Sequence, residues 1–525
     1  MRARAGRPAG VGLLWLLGAL LCPAAAGQPQ AEAIRAALAA PDTALHVPEL
    51  TGALYAARAY QPLWPAERAA AAQQALAGAQ AHGLRPADYH LPAIERLGAD
   101  PAAQAQRDLL LSDGLLLLGS HVRSGAVEVG SLVARRQPLL LDADLPGRLQ
   151  QAATAADFLA GLTSSLAGYP RLQEALARYR GITAAGGWPR LPDGPTLRPG
   201  DRDPAIHVLR ARLAREGMDR APPERPDAQF DPPLALAVQA FQKRHGLDAD
   251  GVVGMRTRRA LDTPASRRVA QLVANLERRR WLGEAPGKRQ VRVNTAAFTL
   301  DAIDGARVTL HMRVVVGQPF RPTPEFADRI RYLVLNPYWE VPPSLAVEDK
   351  LPLIRRDPGY LEREHIRVLQ GWGEQPTRID PASVDWNGLG SALPYRLRQD
   401  PGPWNALGRV KFMFPNAHNV YLHDTPARAL FAQAERGFSS GCVRLQDAPA
   451  LAEWILADHP RWTAQAVREA LAGQDTRTVH LPEPVPVYLL YWTAWVDADG
   501  TVQFRRDIYD RDEPLAAVLA GDYRP

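Results

Sequence analysis

The hydrophobic pattern changes its period near residue 282, and this change constrains the fold more than any other feature. Before it, apolar residues recur at three- and four-residue steps, as they do on one face of a helix. After it, stretches such as VRVNTAAFTLDAI, RVTLHMRVVVG and RIRYLVLNPYWEV alternate or run apolar, as strands do. A length of 525 residues is too great for one core. The pattern therefore predicts a multidomain α+β protein that is helical first and mainly β afterwards.

The N-terminus is predicted to be a signal peptide over residues 1–26. Three arginines precede an apolar run at 11–21, and an Ala-x-Ala cleavage site ends at Ala26. An uncleaved N-terminal anchor and a lipoprotein attached through Cys22 remain alternatives. No later segment is apolar enough to span a bilayer, so we expect an exported protein that is peripheral to the membrane at most.

Composition and cysteine usage narrow the function classes. Lys and Arg total 62 against 56 Asp and Glu, and the two signs are interspersed, so nothing indicates nucleic-acid binding. Removal of the leader would leave Cys442 as the one cysteine, which excludes a disulfide framework. A lone thiol in an oxidising compartment is a liability unless the protein uses it.

Shifts of pattern along the chain predict three domains after the leader. Residues 28–187 predict an all-α scaffold without catalytic residues, and a Gly/Pro-rich linker follows it. Residues 197–262 predict a compact three-helix domain. Residues 267–525 predict a mainly β catalytic domain, in which the Pro- and Arg-rich insertion 342–404 is interpreted as a lid over the site.

The chemistry is predicted to lie between two short strands of this last domain. Cys442 belongs to an SSGC turn, nineteen positions after His423. An imidazole is the usual base for a thiol nucleophile, and the runs NVYLH and CVRL predict strands that would bring the two together. Gly441 suits a sharp turn with free backbone N–H groups for an oxyanion. A small buried cysteine beside an unrelated histidine is the alternative.

The same residues resemble a known family. HDTP followed by FSSGCVRL resembles the active-site signature of the L,D-transpeptidases, in particular the long, scaffold-bearing type of Gram-negative bacteria. The stretches YQPLW, HGLRPADY and HVRSG resemble that type's scaffold, and AVQAFQKRHGLDADGVVGMRTRRAL resembles the three-helix peptidoglycan-binding domain. Most of the family has His at the position of Ser440, so this chain offers no second histidine there.

The resemblance implies a role for each motif residue. Cys442 would be the nucleophile and His423 the general base, while Ser439 and Gly441 would form the oxyanion turn. The predicted substrate-binding residues are Arg444, Tyr421 and Ser440. From the residues alone, Arg444 has a salt bridge to Asp447 or to another acid as an alternative role.

Further alternatives stay open for three positions. Ser439 has the alternative role of holding the turn, and Tyr421 that of a packed strand residue. A backbone carbonyl is a better candidate than Asp424 to orient His423, because adjacent strand residues face opposite ways.

The resemblance implies a periplasmic enzyme that makes 3→3 cross-links in peptidoglycan, needs no cofactor or metal, and is acylated by carbapenems. Its partners would be peptidoglycan stem peptides and glycan, with other wall-synthesis enzymes left open. An L,D-carboxypeptidase and a non-catalytic wall-binding protein are the alternatives. A zinc amidase using His418, His423, Asp424 and Cys442 is disfavoured, because the histidine spacing is not a common ligand spacing.

Overall fold

A computed structural model describes residues 28–40, 43–127, 142–163, 166, 168–218, 228–283, 288–373, 375–390 and 393–521. The predicted signal peptide and Cys22 lie outside the described residues. The chain forms two compact units, one from the segments up to 77, 87–118 and 141–158, and the other from 78–86, 119–140 and 159 onwards. Within the described ranges, no helix combines the length and the apolar character needed to cross a membrane.

The N-terminal region is helical, as predicted. Its helices are α1 (Gln28–Ala39), α2 (Pro48–Ala57), α3 (Ala66–Ala77), α4 (Leu91–Glu95), α5 (Pro101–Ser124), α6 (Leu145–Gln151), α7 (Ala155–Thr163) and α8 (Tyr169–Ala184), with 3-10 turns at Gly78–His82 and Pro86–Tyr89. In the first unit, Asp113 of α5 is buried and accepts hydrogen bonds from the N–H groups of His46 (2.8 Å) and Val47 (3.0 Å). These bonds compensate the burial of its charge.

The predicted three-helix domain consists of α9 (Ala205–Ala214), α10 (Pro232–Arg244) and α11 (Met255–Leu261). Phe230 was expected to open the second helix, but that helix begins two residues later. The reason is the cap: the carboxylate of Asp231 accepts a hydrogen bond from the N–H of Leu234 at 3.0 Å, and Phe230 is free to fill the core. Helix α12 (Ala265–Trp281) follows and precedes the first strand.

The catalytic region is built on a nine-stranded sheet in the order β11-β3-β12-β10-β9-β4-β13-β1-β2, in which β3 also pairs with β2. Its strands are β1 (Arg289–Asn294), β2 (Thr299–Asp304), β3 (Arg307–Gly317), β4 (Phe326–Leu335), β9 (Val410–Met413), β10 (Leu422–His423), β11 (Gly437–Ser439), β12 (Val443–Leu445) and β13 (Arg477–Leu490). The fold class is therefore as predicted from the sequence.

Two stretches that read as single strands are each two strands. VRVNTAAFTLDAI contains β1 and β2, which pair antiparallel around a turn at 295–298. KFMFPNAHNVYLH contains β9 and β10, also antiparallel. The turn at 295–298 reads TAAF and has no Gly, Pro, Asn, Asp or Ser, so the apolar pattern concealed it, whereas Pro415 and Asn416 mark the break between β9 and β10.

One face of the sheet carries the main core, on which α16 (Ala448–Ile455) and α17 (Ala464–Ala472) pack. Strand residues Leu422, Val443 and Phe412 belong to this core and are fully buried. The residues between them along the strands must face the other way, and that opposite face carries the candidate site.

The predicted lid insertion is an ordered subdomain with its own four-stranded sheet, in the order β5-β8-β6-β7. It comprises β5 (Trp339–Glu340), α13 (Pro343–Leu345), a π-helical turn (Ala346–Lys350), α14 (Leu351–Arg356), α15 (Tyr360–Arg363), β6 (Ile366–Gln370), β7 (Thr377–Ile379), a 3-10 turn (Pro381–Ser383) and β8 (Arg396–Gln399). Its hydrophobic cluster, which includes Ile354, Val368 and Leu397, is distinct from the main core, and Tyr421 packs against both.

The turn at Asp499–Gly500 and the strand-like run after it predict a C-terminal tail that completes the main sheet, and this prediction is wrong. Strands β14 (Ala494–Val496) and β15 (Val502–Phe504) form a separate two-stranded sheet, and the chain continues to α18 (Asp512–Ala520). Phe504 packs edge-on to Tyr179 of α8, with ring centres 5.3 Å apart, and Arg278 of α12 makes a buried ion pair with Asp512 of α18 at 2.5 Å. The tail is thus held by the helices.

Candidate active site

Strand pairing brings His423 and Cys442 to the same region of the sheet. Strand β10 pairs in parallel with β12, with Leu422 opposite Val443 and His423 opposite Arg444. The N–H of Val443 donates to the carbonyl of Tyr421 at 3.1 Å, which brings Cys442 beside Tyr421. His423 and Cys442 therefore lie on the same face of adjacent strands. Cys442 lies beside Tyr421, which is two residues before His423, so the two side chains are diagonal neighbours. The sequence prediction that the two strands adjoin is confirmed.

A row of polar side chains crosses this face. His423 is opposite Lys411 in β9 on one side and opposite Arg444 in β12 on the other. His423 is buried, whereas Lys411 and Arg444 are half-buried. Their strand neighbours on either side point into the core, so the three polar residues share the opposite face. Two cations thus flank one imidazole.

The turn that carries the thiol is held by Ser439. Its hydroxyl donates to the carbonyl of Cys442 at 2.5 Å and accepts from the N–H of Gly441 at 3.2 Å. Gly441 has φ +114°, a conformation that favours glycine. Ser439 is therefore occupied in holding the turn, and the N–H of Gly441 already has an acceptor. The N–H of Cys442 has no hydrogen-bond acceptor among the described residues, so it remains the candidate oxyanion donor of the turn.

The loop between β3 and β4 supports the nucleophile turn through hydrogen bonds. The hydroxyl of Thr323 donates to the carbonyl of Gly441 at 2.8 Å and accepts from the N–H of Gly317 at 2.9 Å. The hydroxyl of Tyr509 donates to the carbonyl of Gly317 at 2.8 Å. A Cβ on Gly317 would clash with the backbone of Arg321, so this close approach requires glycine.

His423 is a neutral imidazole with its free nitrogen at Nε2. Nδ1 lies 2.5 Å from the carbonyl oxygen of Asp424, and because a carbonyl only accepts, Nδ1 carries the proton. Burial, together with the positive charge of Arg444, lowers the pKa of His423 to about 3. The backbone carbonyl is the orienter, as expected. The carboxylate of Asp424 instead pairs with Arg428 at 2.6 Å and accepts from the N–H of Arg409 at 2.8 Å.

The thiol of Cys442 is half-buried, and burial raises its pKa. Hydrogen bonds offered by the backbone and side chain of Tyr421, and the positive charges of Lys411 and Arg444, act in the opposite direction by favouring the thiolate. Sγ makes no hydrogen bond with His423; its acceptor is the carbonyl of Asn419, at 3.9 Å. At neutral pH the resting site therefore holds an uncharged thiol beside an uncharged imidazole.

The three predicted substrate-binding residues border the thiol. Tyr421 stands against His423 with ring centres 5.6 Å apart. Arg444 has a buried Nε without a hydrogen-bond partner. Its alternative salt bridge to Asp447 is wrong, because Asp447 caps α16 by accepting from the N–H of Ala450 at 3.0 Å. Ser440 is exposed and its hydroxyl accepts from Arg321 at 3.0 Å.

The residues of the zinc alternative do not converge. The ring of His418 packs at a tilt against Phe326, with ring centres 4.9 Å apart, while the carboxylate of Asp424 pairs with Arg428. Across the described part of the chain, no three His, Cys, Asp or Glu side chains are arranged to hold a metal ion.

Sequence reasoning missed Lys411, Thr323 and Arg321. A signal for Lys411 was present, since it is a cation inside a short apolar strand, KFMF. Thr323 and Arg321 gave no comparable signal, because a proline-rich loop more than a hundred residues before the motif shows nothing of its position against the turn.

Comparison with known proteins assigns families to the three regions. The YkuD profile, described as the L,D-transpeptidase catalytic domain, matches residues 288–485. A profile described as "Scaffold domain" matches residues 49–176. One described as "Putative peptidoglycan binding domain" matches residues 202–261. The resemblance seen in the sequence is confirmed by these matches.

Individual relatives match parts of the chain. A Haemophilus influenzae protein named "Putative L,D-transpeptidase" is 36% identical over 223 residues, which cover 42% of this chain and 44% of that protein. A Mycobacterium tuberculosis protein named as an N-acetylmuramoyl-L-alanine amidase is 34% identical over 124 residues, covering 22% and 30%. The chain thus spans less than half the length of these curated relatives. A solved L,D-transpeptidase structure from Xylanimonas cellulosilytica is 16% identical, covers 57% of this chain and 99% of its own, and has a TM-score of 0.18.

Proposed function

Since this chain carries an L,D-transpeptidase catalytic domain and a peptidoglycan-binding domain, we propose that it forms 3→3 cross-links in peptidoglycan by way of a Cys442 thioester. The donor is a tetrapeptide stem, and the acceptor is the side-chain amine of diaminopimelate on a neighbouring stem. The enzyme acts in the periplasm after export by its N-terminal segment. No ATP is required, because one amide bond is exchanged for another.

The observation that supports this proposal most is the common face of His423 and Cys442. The free Nε2 of His423 belongs to the same strand pair as the thiol, and Nδ1 is fixed by the carbonyl of Asp424. A nucleophile with an adjacent, oriented base is the arrangement that acyl transfer requires. A hydrogen bond from Sγ to Nε2 is absent in the empty site, and such bonds commonly form only when substrate binds.

In the proposed reaction, Nε2 of His423 takes the thiol proton as Sγ attacks the carbonyl carbon of the third stem residue. The tetrahedral intermediate collapses, the D-Ala amine leaves with the proton from His423, and a thioester remains. The acceptor amine then gives a proton to His423 and attacks the thioester, and the sulfur leaves and regains the proton. The first half-reaction returns the imidazole to its neutral form, and the second restores the thiol as well.

Proton transfer and attack must be coupled in this site. Burial and neighbouring cations lower the pKa of His423 to about 3, and burial raises that of Cys442. Both shifts disfavour a thiolate–imidazolium pair in the empty site. Substrate that excludes water and accepts the electron pair of sulfur removes the need for a free thiolate.

Two groups are proposed to recognise charge on the substrate. The N–H of Cys442 stabilises the oxyanion of the tetrahedral intermediate. The guanidinium of Arg444 binds a stem carboxylate, which is supported by its unpartnered Nε on the face of the thiol. Tyr421 lines the same pocket with its ring.

Intact-mass spectrometry with a carbapenem tests the site. We expect one covalent adduct on the wild type, none on Cys442→Ala, and at least a hundredfold slower formation on His423→Ala, consistent with the usual contribution of a general base. His418→Ala is the matched control, since His418 lies outside the polar row and should acylate at the wild-type rate.

Tetrapeptide-rich sacculi then separate the possible reactions. Muropeptides joined through two diaminopimelate residues support cross-linking, whereas tripeptides without such dimers indicate an L,D-carboxypeptidase. Absence of any adduct from a wild-type protein whose Cys442 reacts with iodoacetamide would contradict catalysis and favour a wall-binding protein.

A further inference from the structure

The side chain of Arg321 connects the nucleophile turn to the lid. Its Nη1 donates to the hydroxyl of Ser440 at 3.0 Å and lies 3.3 Å from the carboxylate of Asp349. Its Nη2 donates to the carboxylate of Glu348. Ser440 is two residues before Cys442. A single guanidinium therefore contacts both the nucleophile turn and two acids of the lid.

The backbone around Arg321 is fixed against the nucleophile turn. The N–H of Gln318 donates to the carbonyl of Ser439 at 2.9 Å, and Thr323 bonds to Gly441 as described above. Prolines 319, 322 and 324 further restrict this loop, because the proline ring fixes φ. The backbone that carries the guanidinium is thus held beside the nucleophile turn.

The two acids belong to a part of the molecule with separate packing. Glu348 and Asp349 lie in the π-helical turn at Ala346–Lys350, an irregularity that occurs often at functional sites. Their subdomain packs on its own hydrophobic cluster. Within the described residues, the side chains that hydrogen-bond or ion-pair with the lid segment 343–399 belong to residues 337–408, with one exception. The exception is Arg321.

Both lid carboxylates are substantially exposed, with side-chain exposures of 56% for Glu348 and 45% for Asp349. Ion pairs of this kind are individually weak, and water or another anion replaces them easily. A planar guanidinium binds any carboxylate through two parallel hydrogen bonds. The lid acids therefore occupy a position that a carboxylate of a ligand can also occupy.

We propose that Arg321 is a carboxylate receptor beside the thiol, that Glu348 and Asp349 fill it while the lid is closed, and that the terminal D-Ala carboxylate of the donor stem displaces them. The identity of this peptide rests on the proposed function. The terminal carboxylate is one residue beyond the carbonyl that Cys442 attacks, and one extended residue spans at most about 3.6 Å. Arg321 bonds to Ser440, two residues before Cys442, so its guanidinium adjoins the turn that such a stem must approach.

This exchange couples donor binding to lid movement. A tetrapeptide whose carboxylate takes over Arg321 releases the segment 343–356, and departure of free D-Ala returns the guanidinium to the lid acids. A stem that has already lost its fourth residue cannot open the lid in this way. Arg321 thus selects tetrapeptide donors over tripeptides.

Amide hydrogen exchange of the segment 343–356 and peptide affinity test the proposal, both in a Cys442→Ala background so that no turnover occurs. The probes are a stem tetrapeptide with a free terminal carboxylate and the same peptide with a terminal carboxamide. We expect the carboxylate peptide to bind about tenfold more tightly than the carboxamide and to speed exchange of the segment.

Two variants should distinguish the binding of the peptide carboxylate by Arg321 from the contact between Arg321 and the lid acids. Arg321→Gln should exchange rapidly without peptide and bind the two peptides alike. The double variant E348Q/D349N should also exchange rapidly but bind the carboxylate peptide more tightly than the wild type does. Asp357→Asn is the control, because it removes an exposed ion pair to Arg363 that lies wholly within the lid, and it should retain wild-type exchange and affinity.

An Arg321→Gln variant that keeps the preference for the carboxylate peptide would show that Arg321 does not bind the peptide carboxylate. Slow exchange in E348Q/D349N would show that the contact between Arg321 and the lid acids does not hold the lid closed. These outcomes are distinct from failure of the proposed function, which is read from sacculi with Cys442 intact. A wild type that cross-links sacculi but shows neither effect contradicts only the role of Arg321.

Discussion

The Nζ atom of Lys411 lies 4.0 Å from the centre of the Tyr421 ring, on the face of the sheet that carries the thiol. The side chain of Lys411 makes no salt bridge or hydrogen bond within the described part of the chain. Burial lowers the pKa of Lys411, while the charges of the Cys442 thiolate and of Glu340 raise it. In turn, the charge of Lys411 favours the thiolate of Cys442.

Lys411→Met should raise the pKa of the Cys442 thiol by about one unit, because a cation that favours the thiolate is removed from a water-poor site. The pH dependence of iodoacetamide alkylation, with the labelled peptide identified by mass spectrometry, measures this shift. Lys411→Arg should preserve the wild-type profile, and so should Lys243→Met, which removes an exposed cation from α10. An unchanged profile in Lys411→Met would show that the charge does not act on the thiol.

The wild-type alkylation rate should rise with pH up to and beyond 9 without a plateau near pH 6. Burial raises the pKa of Cys442, so the reactive thiolate accumulates only in alkaline solution, and His423 with a pKa of about 3 is already neutral from pH 5 upwards. His423→Ala should therefore alter alkylation less than twofold while it slows acylation by a carbapenem at least a hundredfold. A bell-shaped or acid-shifted profile would instead indicate a resting thiolate–imidazolium pair.

Thr323→Val should slow acylation about tenfold and lower the free energy of unfolding by about 1–3 kcal/mol. It removes the hydroxyl between the N–H of Gly317 and the carbonyl of Gly441, leaving two buried backbone groups without a partner. The turn that positions the thiol then loses a support, and small displacements of reacting groups are costly. Thr323→Ser keeps the hydroxyl and is the control. The measurements are adduct formation and urea denaturation, and equal acylation rates would contradict the role.

Glu216→Gln should lower the free energy of unfolding by about 3 kcal/mol at pH 7. Burial alone would raise the pKa of Glu216, but Arg212 and Arg244 outweigh it and lower that pKa to about 2. A folded pKa below the unfolded value means that this stability is present above about pH 4.5 and is lost as the pH falls towards 2. Arg212 contacts this carboxylate at 2.6 Å and Arg244 at 3.5 Å.

Urea titrations of the full chain at pH 7 and pH 3.5 measure this prediction. The difference between the wild type and Glu216→Gln should shrink at the lower pH. Glu469→Gln in α17 is the control, since its carboxylate is exposed and accepts a hydrogen bond from Gln465 only. A difference that stays constant with pH would contradict the assigned pKa.

The sequence by itself determined the order of helical and β regions, the candidate nucleophile and its candidate base, and the glycine of the turn. These features are local: helical and strand periods differ, and Gly441 is set by its own φ. The short apolar runs on either side of the motif also predicted two adjoining strands, and the structure shows that β10 and β12 pair in parallel.

Only the tertiary structure decided what surrounds the thiol. Strand register places Lys411 opposite His423, on the face that carries Cys442. Thr323 bonds to Gly441 across 118 positions, and Arg321 joins Ser440 to the lid acids. It also decided that Ser439 holds the turn and that Asp447 caps a helix instead of pairing with Arg444. Hydrogen bonds and charges act across a few ångströms of space regardless of chain separation, and no local pattern records which distant residue occupies that space.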